Sequence, residues 1–132
     1  MIQYIDFKKG ASMRVRVYFN LHKKMFSVVA LTGHFRNKVI FHANKIMLKD
    51  AKFRVQLAGR KKVLSEKKKN VHAFVYGYIS KENITNDKLV SVTYNPYKYA
   101  SFVLKDSKLP IYKSNFVIMN VENNVPFMFV EC

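Results

Sequence analysis

Residues 13–19 run Met-Arg-Val-Arg-Val-Tyr-Phe, and this alternation is the feature that most narrows the fold. Successive side chains of an extended chain point to opposite sides. Val15, Val17 and Phe19 therefore share one face, and Arg14, Arg16 and Tyr18 share the other. That is the pattern of a half-buried strand. The same period returns at 71–79, Val-His-Ala-Phe-Val-Tyr-Gly-Tyr-Ile. There His72, Phe74, Tyr76 and Tyr78 fall on one side, and Val71, Ala73, Val75 and Ile79 on the other.

The rest of the chain is consistent with these two anchors. A turn is expected at 20–23, then a strand at 24–31, a loop at 32–37 containing Gly33, and a strand at 38–42. Two further short strands are expected at 45–49 and 52–57. Residues 57–69 differ, being rich in helix formers and poor in aromatics. They predict a short helix that begins after Gly59, ends near Asn70 and carries a thin apolar face of Val63 and Leu64. Beyond the second anchor, 83–87 reads as a turn, 89–94 as a strand broken by Asn95-Pro96, and 99–104 as another strand. Residues 106–110 form a loop, and 116–121 with 125–130 a closing hairpin. Its turn, Glu122-Asn123-Asn124, suits the positive φ that such turns need. The expected fold is mostly β (α+β): a small antiparallel meander or partly open barrel, with one short basic helix near 60–69.

A length of 132 residues fits a single domain over 1–132, and 49% hydrophobic residues supply a core without staples. The sole cysteine, Cys132, leaves no intramolecular disulfide and suits a reducing compartment. The first residues lack the pattern of a signal peptide, and no apolar run reaches a membrane span. These features lead us to expect a protein of the cell interior with no membrane partner.

Charge carries the functional signal. The chain holds 24 Lys and Arg against 8 Asp and Glu, a net +16. Self-repulsion of that size destabilises a compact chain unless a polyanion offsets it. The charge is also uneven. Residues 1–79 hold 18 basic side chains against Asp6, Asp50 and Glu66, whereas residues 80–132 hold six lysines against five acids. A bias toward lysine codons, or a need for solubility alone, would spread the charge more evenly.

The basic candidates for phosphate contact are Arg14, Arg16, Lys45, Lys49, Lys52, Arg54, Arg60, Lys61, Lys62, Lys67, Lys68 and Lys69. Tyr18, His72, Phe74 and Tyr76 are the candidates for base stacking, since rings on a sheet beside Lys and Arg hold single strands. The competing reading is that aromatic side chains in strands are core. Signals for catalysis are weak. The four histidines make no zinc-binding spacing, only four glycines are present, and no phosphate loop or serine elbow occurs. No cofactor or metal is expected. A metal-independent nuclease built on His34 or His42 with a nearby lysine is the enzymatic alternative.

Two stretches carry a family likeness. One is Val17-Tyr18-Phe19-Asn20-Leu21-His22-Lys23-Lys24-Met25-Phe26-Ser27-Val28, continued by Arg60-Lys61-Lys62-Val63-Leu64 and Lys69-Asn70-Val71-His72-Ala73-Phe74-Val75. The other is Thr93-Tyr94-Asn95-Pro96-Tyr97-Lys98-Tyr99-Ala100-Ser101-Phe102-Val103. Together they resemble small accessory proteins of tailed bacteriophages, a likeness that brings no named activity and no catalytic residue. It implies a protein made in the cytoplasm of a bacterial host. The expected partner is then nucleic acid. The rival is a host defence nucleoprotein, inhibited in the manner of an anti-CRISPR through its RNA, its DNA or an acidic protein surface.

Overall fold

A computed structural model describes residues 13–67, 71–80 and 89–131. In chain order the elements are β1 (Arg14–Asn20), β2 (Met25–Ala30), β3 (Val39–Ala43), β4 (Lys45–Val55), α1 (Leu57–Glu66), β5 (Ala73–Ile79), β6 (Leu89–Thr93), β7 (Val103–Leu104), β8 (Lys113–Glu122) and β9 (Val125–Glu131). All nine strands join one antiparallel sheet in the order β3-β2-β1-β5-β4-β8-β9-β6-β7. The mostly-β expectation holds, and the sheet does not close into a true barrel. The meander is local to β1–β3. Distant segments then join the sheet, β5 on the free side of β1 and β8 on the free side of β4.

The hairpins follow from local chemistry. At the β1–β2 turn the Asn20 side-chain oxygen accepts from the backbone N–H groups of His22 and Lys23, both at 3.0 Å. Lys24 closes that turn at φ 57°, donating to the Asn20 carbonyl at 2.8 Å. Asn123 and Asn124 make the β8–β9 turn at φ 51° and 66°, a conformation that Asn adopts more readily than most residues.

Three expectations are corrected. Of the strand expected at 99–104, only β7 (Val103–Leu104) forms. The strands expected at 45–49 and 52–57 are one strand, β4. Asp50, at φ 51°, is an extra residue in the ladder, and pairing with β5 resumes after it, from Lys49↔Tyr78 to Lys52↔Tyr76. The local bend presses β4 onto Gly77. A Cβ there would lie 2.9 Å from the Lys49 carbonyl oxygen and 3.0 Å from the Leu48 Cβ, so the position requires glycine. The helix is displaced too. It starts at Leu57, takes Gly59 into its first turn and ends at Lys67, which caps it at φ 57° with its N–H on the Val63 carbonyl. A glycine inside a helix costs about 1 kcal/mol relative to alanine, which weakens a helix without forbidding it. Of the expected apolar pair, Val63 is buried and Leu64 half-buried.

One face of the curled sheet makes the core, with Val15 and Val17 of β1, Leu48 of β4, Val75 of β5 and Val117 of β8 among its most buried members. The curl brings distant strands together. Val17 of β1, Phe26 of β2, Val92 of β6 and Met128 of β9 line the same apolar cavity of about 190 Å³. Tyr94 reaches this cavity as well, its ring tilted against that of Phe102 at 5.3 Å and its hydroxyl 2.7 Å from His72 Nε2.

Candidate nucleic-acid interface

The opposite face of β1, β5 and β4 collects the charged and aromatic residues singled out in the sequence. Residues directly opposite one another in an antiparallel ladder share a face. Arg14 lies opposite Tyr78, which lies opposite Lys49. In the next row Arg16 faces Tyr76, Tyr76 faces Lys52, and Lys52 faces Lys113 of β8. In the third, Tyr18 meets the Phe74 ring edge-on at 5.8 Å, and Arg54 lies opposite Phe74. Each row thus sets a ring between β1 and a basic residue of β4.

Diagonal contacts tie the rows together. The Arg16 guanidinium sits 5.3 Å from the centre of the Phe74 ring, and that of Arg54 sits 6.0 Å from the centre of Tyr76. Such contacts contribute about 0.5–1 kcal/mol at exposed sites. They also hold each guanidinium close to a ring on the same face. Arg16 is half-buried, and its Nε finds no hydrogen-bond partner among the described residues. Arg14, Lys52, Arg54 and Lys113 are exposed.

Burial sorts the stacking candidates. Phe74 is only 7% exposed, covered on this face by Arg16, Tyr18 and Tyr76. His72 is 6% exposed, with its ring edge-on to Tyr94. Neither offers the free ring surface that stacking a base needs, and both rings pack against neighbouring side chains. Tyr18 and Tyr76 are half-buried, and Tyr78, which the period-two pattern put on the same face, is exposed.

The remaining basic candidates divide by position. Lys45 is exposed at the far end of β4, opposite Asn120, beyond the reach of β5. Helix α1 follows β4 directly, and Lys61, Lys62 and Lys67 on it are exposed. Arg60 instead anchors the 95–99 turn, its Nε donating to the Tyr99 carbonyl at 2.8 Å. Lys68 and Lys69 lie outside the described residues. Lys113 was not singled out in the sequence. Nothing local marks it, because it joins the face only through the long-range pairing of β8 with β4.

Of the histidines considered for catalysis, His34 is off the sheet, whereas His42 of β3 continues the third row, since Ser27 lies opposite both Tyr18 and His42. His34 is exposed in the 33–38 loop, and His42 Nδ1 is 2.9 Å from the hydroxyl of Ser27, which is fully buried. Burial, then the Lys23 charge, lowers the His42 pKa below its ordinary 6.5. Among the described residues, no three His, Cys, Asp or Glu side chains are grouped so as to hold a metal ion. No helix among them is long and apolar enough to cross a membrane.

Open antiparallel sheet, short helix and one-sided charge define a small basic β protein, and comparison shows that its relatives are accessory proteins of tailed bacteriophages. The chain belongs to the family of the Mycobacterium phage L5 gene 82 protein, whose family model matches residues 8–125. It is 34% identical over 117 residues to that phage's gene 82 protein, a match that covers 82% of this chain and 90% of the relative. No solved structure matches the chain.

Proposed function

We propose that this protein binds single-stranded nucleic acid inside the infected bacterial cell, through the outer face of β1, β5 and β4. The observation that carries the reading is the register. It alternates cations with rings across three adjacent strands, with Arg14 beside Tyr78 and Arg16 and Lys52 on either side of Tyr76. Cations neutralise phosphates and release counterions, while rings take bases of any sequence. A duplex keeps its bases stacked on each other and offers these rings nothing.

Fluorescence anisotropy with labelled single-stranded RNA, single-stranded DNA and duplex DNA, read across a salt series, tests the proposal. Both single strands are expected to bind more tightly than duplex, with affinity falling steeply as salt rises. Replacing Arg14 and Arg54 together by alanine should lower the salt slope by about 0.7 per lost phosphate contact. Absence of binding to all three at low salt would overturn the reading, as would an unchanged slope in the double variant. A pull-down from host lysate after nuclease treatment addresses the inhibitor alternative, which requires a stoichiometric protein partner to survive.

A further inference from the structure

The extra residue in β4 opens a cleft within the proposed binding face. The cleft has a volume of about 270 Å³ and is lined by Arg14, Asp50, Lys52, Tyr76, Gly77 and Tyr78. That lies just below the range of about 300–1,000 Å³ typical of pockets for drug-sized ligands, and suits a single nucleobase. Its cations and rings are what the face offers elsewhere. Asp50 is the exception, an exposed carboxylate with no hydrogen bond or ion pair to another described residue. An acid here repels the phosphates that its neighbours attract, and what it offers a ligand is hydrogen-bond acceptance.

We propose that this cleft seats one guanine, with the base stacked on Tyr78, its phosphates held by Arg14 and Lys52, and Asp50 accepting from its Watson–Crick edge. The inference rests on the single-strand reading above and gives it a base preference. A carboxylate has two acceptor oxygens, and only guanine among the common bases presents two adjacent donors, N1–H and the N2 amino group. Adenine and cytosine set one amino group beside an acceptor nitrogen, and uracil sets one N–H between two carbonyls. Each of those turns an acceptor toward one oxygen of Asp50. Flipped-out or unpaired bases are commonly read along this edge. The backbone supports the assignment. Asp50 stands at φ 51°, where the carboxylate is carried on an extra residue out of step with the alternating side chains of β4.

The test compares two labelled nine-nucleotide RNAs, one of uridines and one with guanosine at the centre, on the wild-type protein and on Asp50→Asn. Asparagine tolerates the left-handed backbone as well as aspartate does, and circular dichroism checks that the variant is folded. Wild type should favour the guanosine strand about ten-fold, with an inosine strand, which lacks the amino donor, in between. Asp50→Asn should lose the preference while binding uridines as well as or better than wild type, because a negative charge has gone. Equal wild-type affinity for the uridine and guanosine strands overturns the guanine seat and leaves the general reading standing. So does a preference that survives Asp50→Asn. Failure of wild type to bind either strand at low salt overturns both.

Discussion

The two faces of β1, β5 and β4 are made by the same three strands, yet they differ in almost every physical respect. Inward, Val15, Val17, Leu48 and Val75 are at most 1% exposed and belong to a continuous apolar core. Outward, the residues next to them in sequence are Arg14, Arg16, Lys49, Phe74 and Tyr76, arranged in rows of cation and ring. The contrast separates two tasks along one backbone. Alternation lets a chain of net charge +16 gather cations on one side while the other side supplies the stability that their mutual repulsion takes away. Substitutions on one face should therefore change stability, and those on the other should change binding.

The largest effect is expected inward. Leu48→Ala removes a fully buried side chain from the centre of the sheet. Such truncations cost about 2–5 kcal/mol, measured as a lower urea midpoint at unchanged slope. Arg54→Ala on the same strand should change stability by only about 0.5 kcal/mol, as exposed substitutions usually do. Comparable losses in the two variants would break the division between the faces.

How much of this division was legible in the sequence depends on distance along the chain. The faces of β1 and β5 follow from alternation within seven or so residues, and both appear where the pattern puts them. The turn at Asn123-Asn124 was legible for the same local reason. The strand order was not, because the pairings of β1 with β5 and β4 with β8 join segments about 60–75 residues apart, and a single sequence holds no record of them. Residues 50 and 51 separate the two short strands expected there, whereas the ladder absorbs Asp50 as a bulge. The candidate face was legible in composition but not in exposure. Phe74 has the right side chain on the right face, and only the folded register shows Arg16 and Tyr18 covering it.

Arg16 sharpens the comparison, because it belongs partly to both faces. Its guanidinium covers Phe74, while its Nε is buried without a partner among the described residues. The ring contact contributes from about 0.5 kcal/mol at an exposed site to about 2 kcal/mol when desolvated, and an unsatisfied buried donor costs about 1–3 kcal/mol. Arg16→Met keeps an unbranched stem over the ring and removes the donor. Chemical denaturation should find this variant within about 1 kcal/mol of wild type, or more stable. Its affinity for single strands should nevertheless fall. A variant that binds normally would remove Arg16 from the interface and leave it as packing alone.

The smallest effect concerns polarity at the β2–β3 end of the third row, where Ser27 lies opposite both Tyr18 and His42. On β2 and β3, Ser27 and His42 pair across the ladder, and the imidazole accepts or donates to a hydroxyl that water does not reach. Burial and then the nearby Lys23 charge favour the neutral ring, so the folded pKa of His42 lies below 6.5. The unfolded chain then takes up this proton first as the medium is acidified. Stability rises with pH wherever the unfolded state holds more protons. His42's contribution is therefore fully present above 6.5 and is eroded as pH falls through that value toward the lower folded pKa. His42→Gln keeps a side chain able to hydrogen-bond Ser27 but cannot titrate. Melting curves should show wild type losing more stability than the variant between neutral and mildly acid pH. Parallel loss in the two proteins would mean that His42 is as well solvated as any exposed histidine.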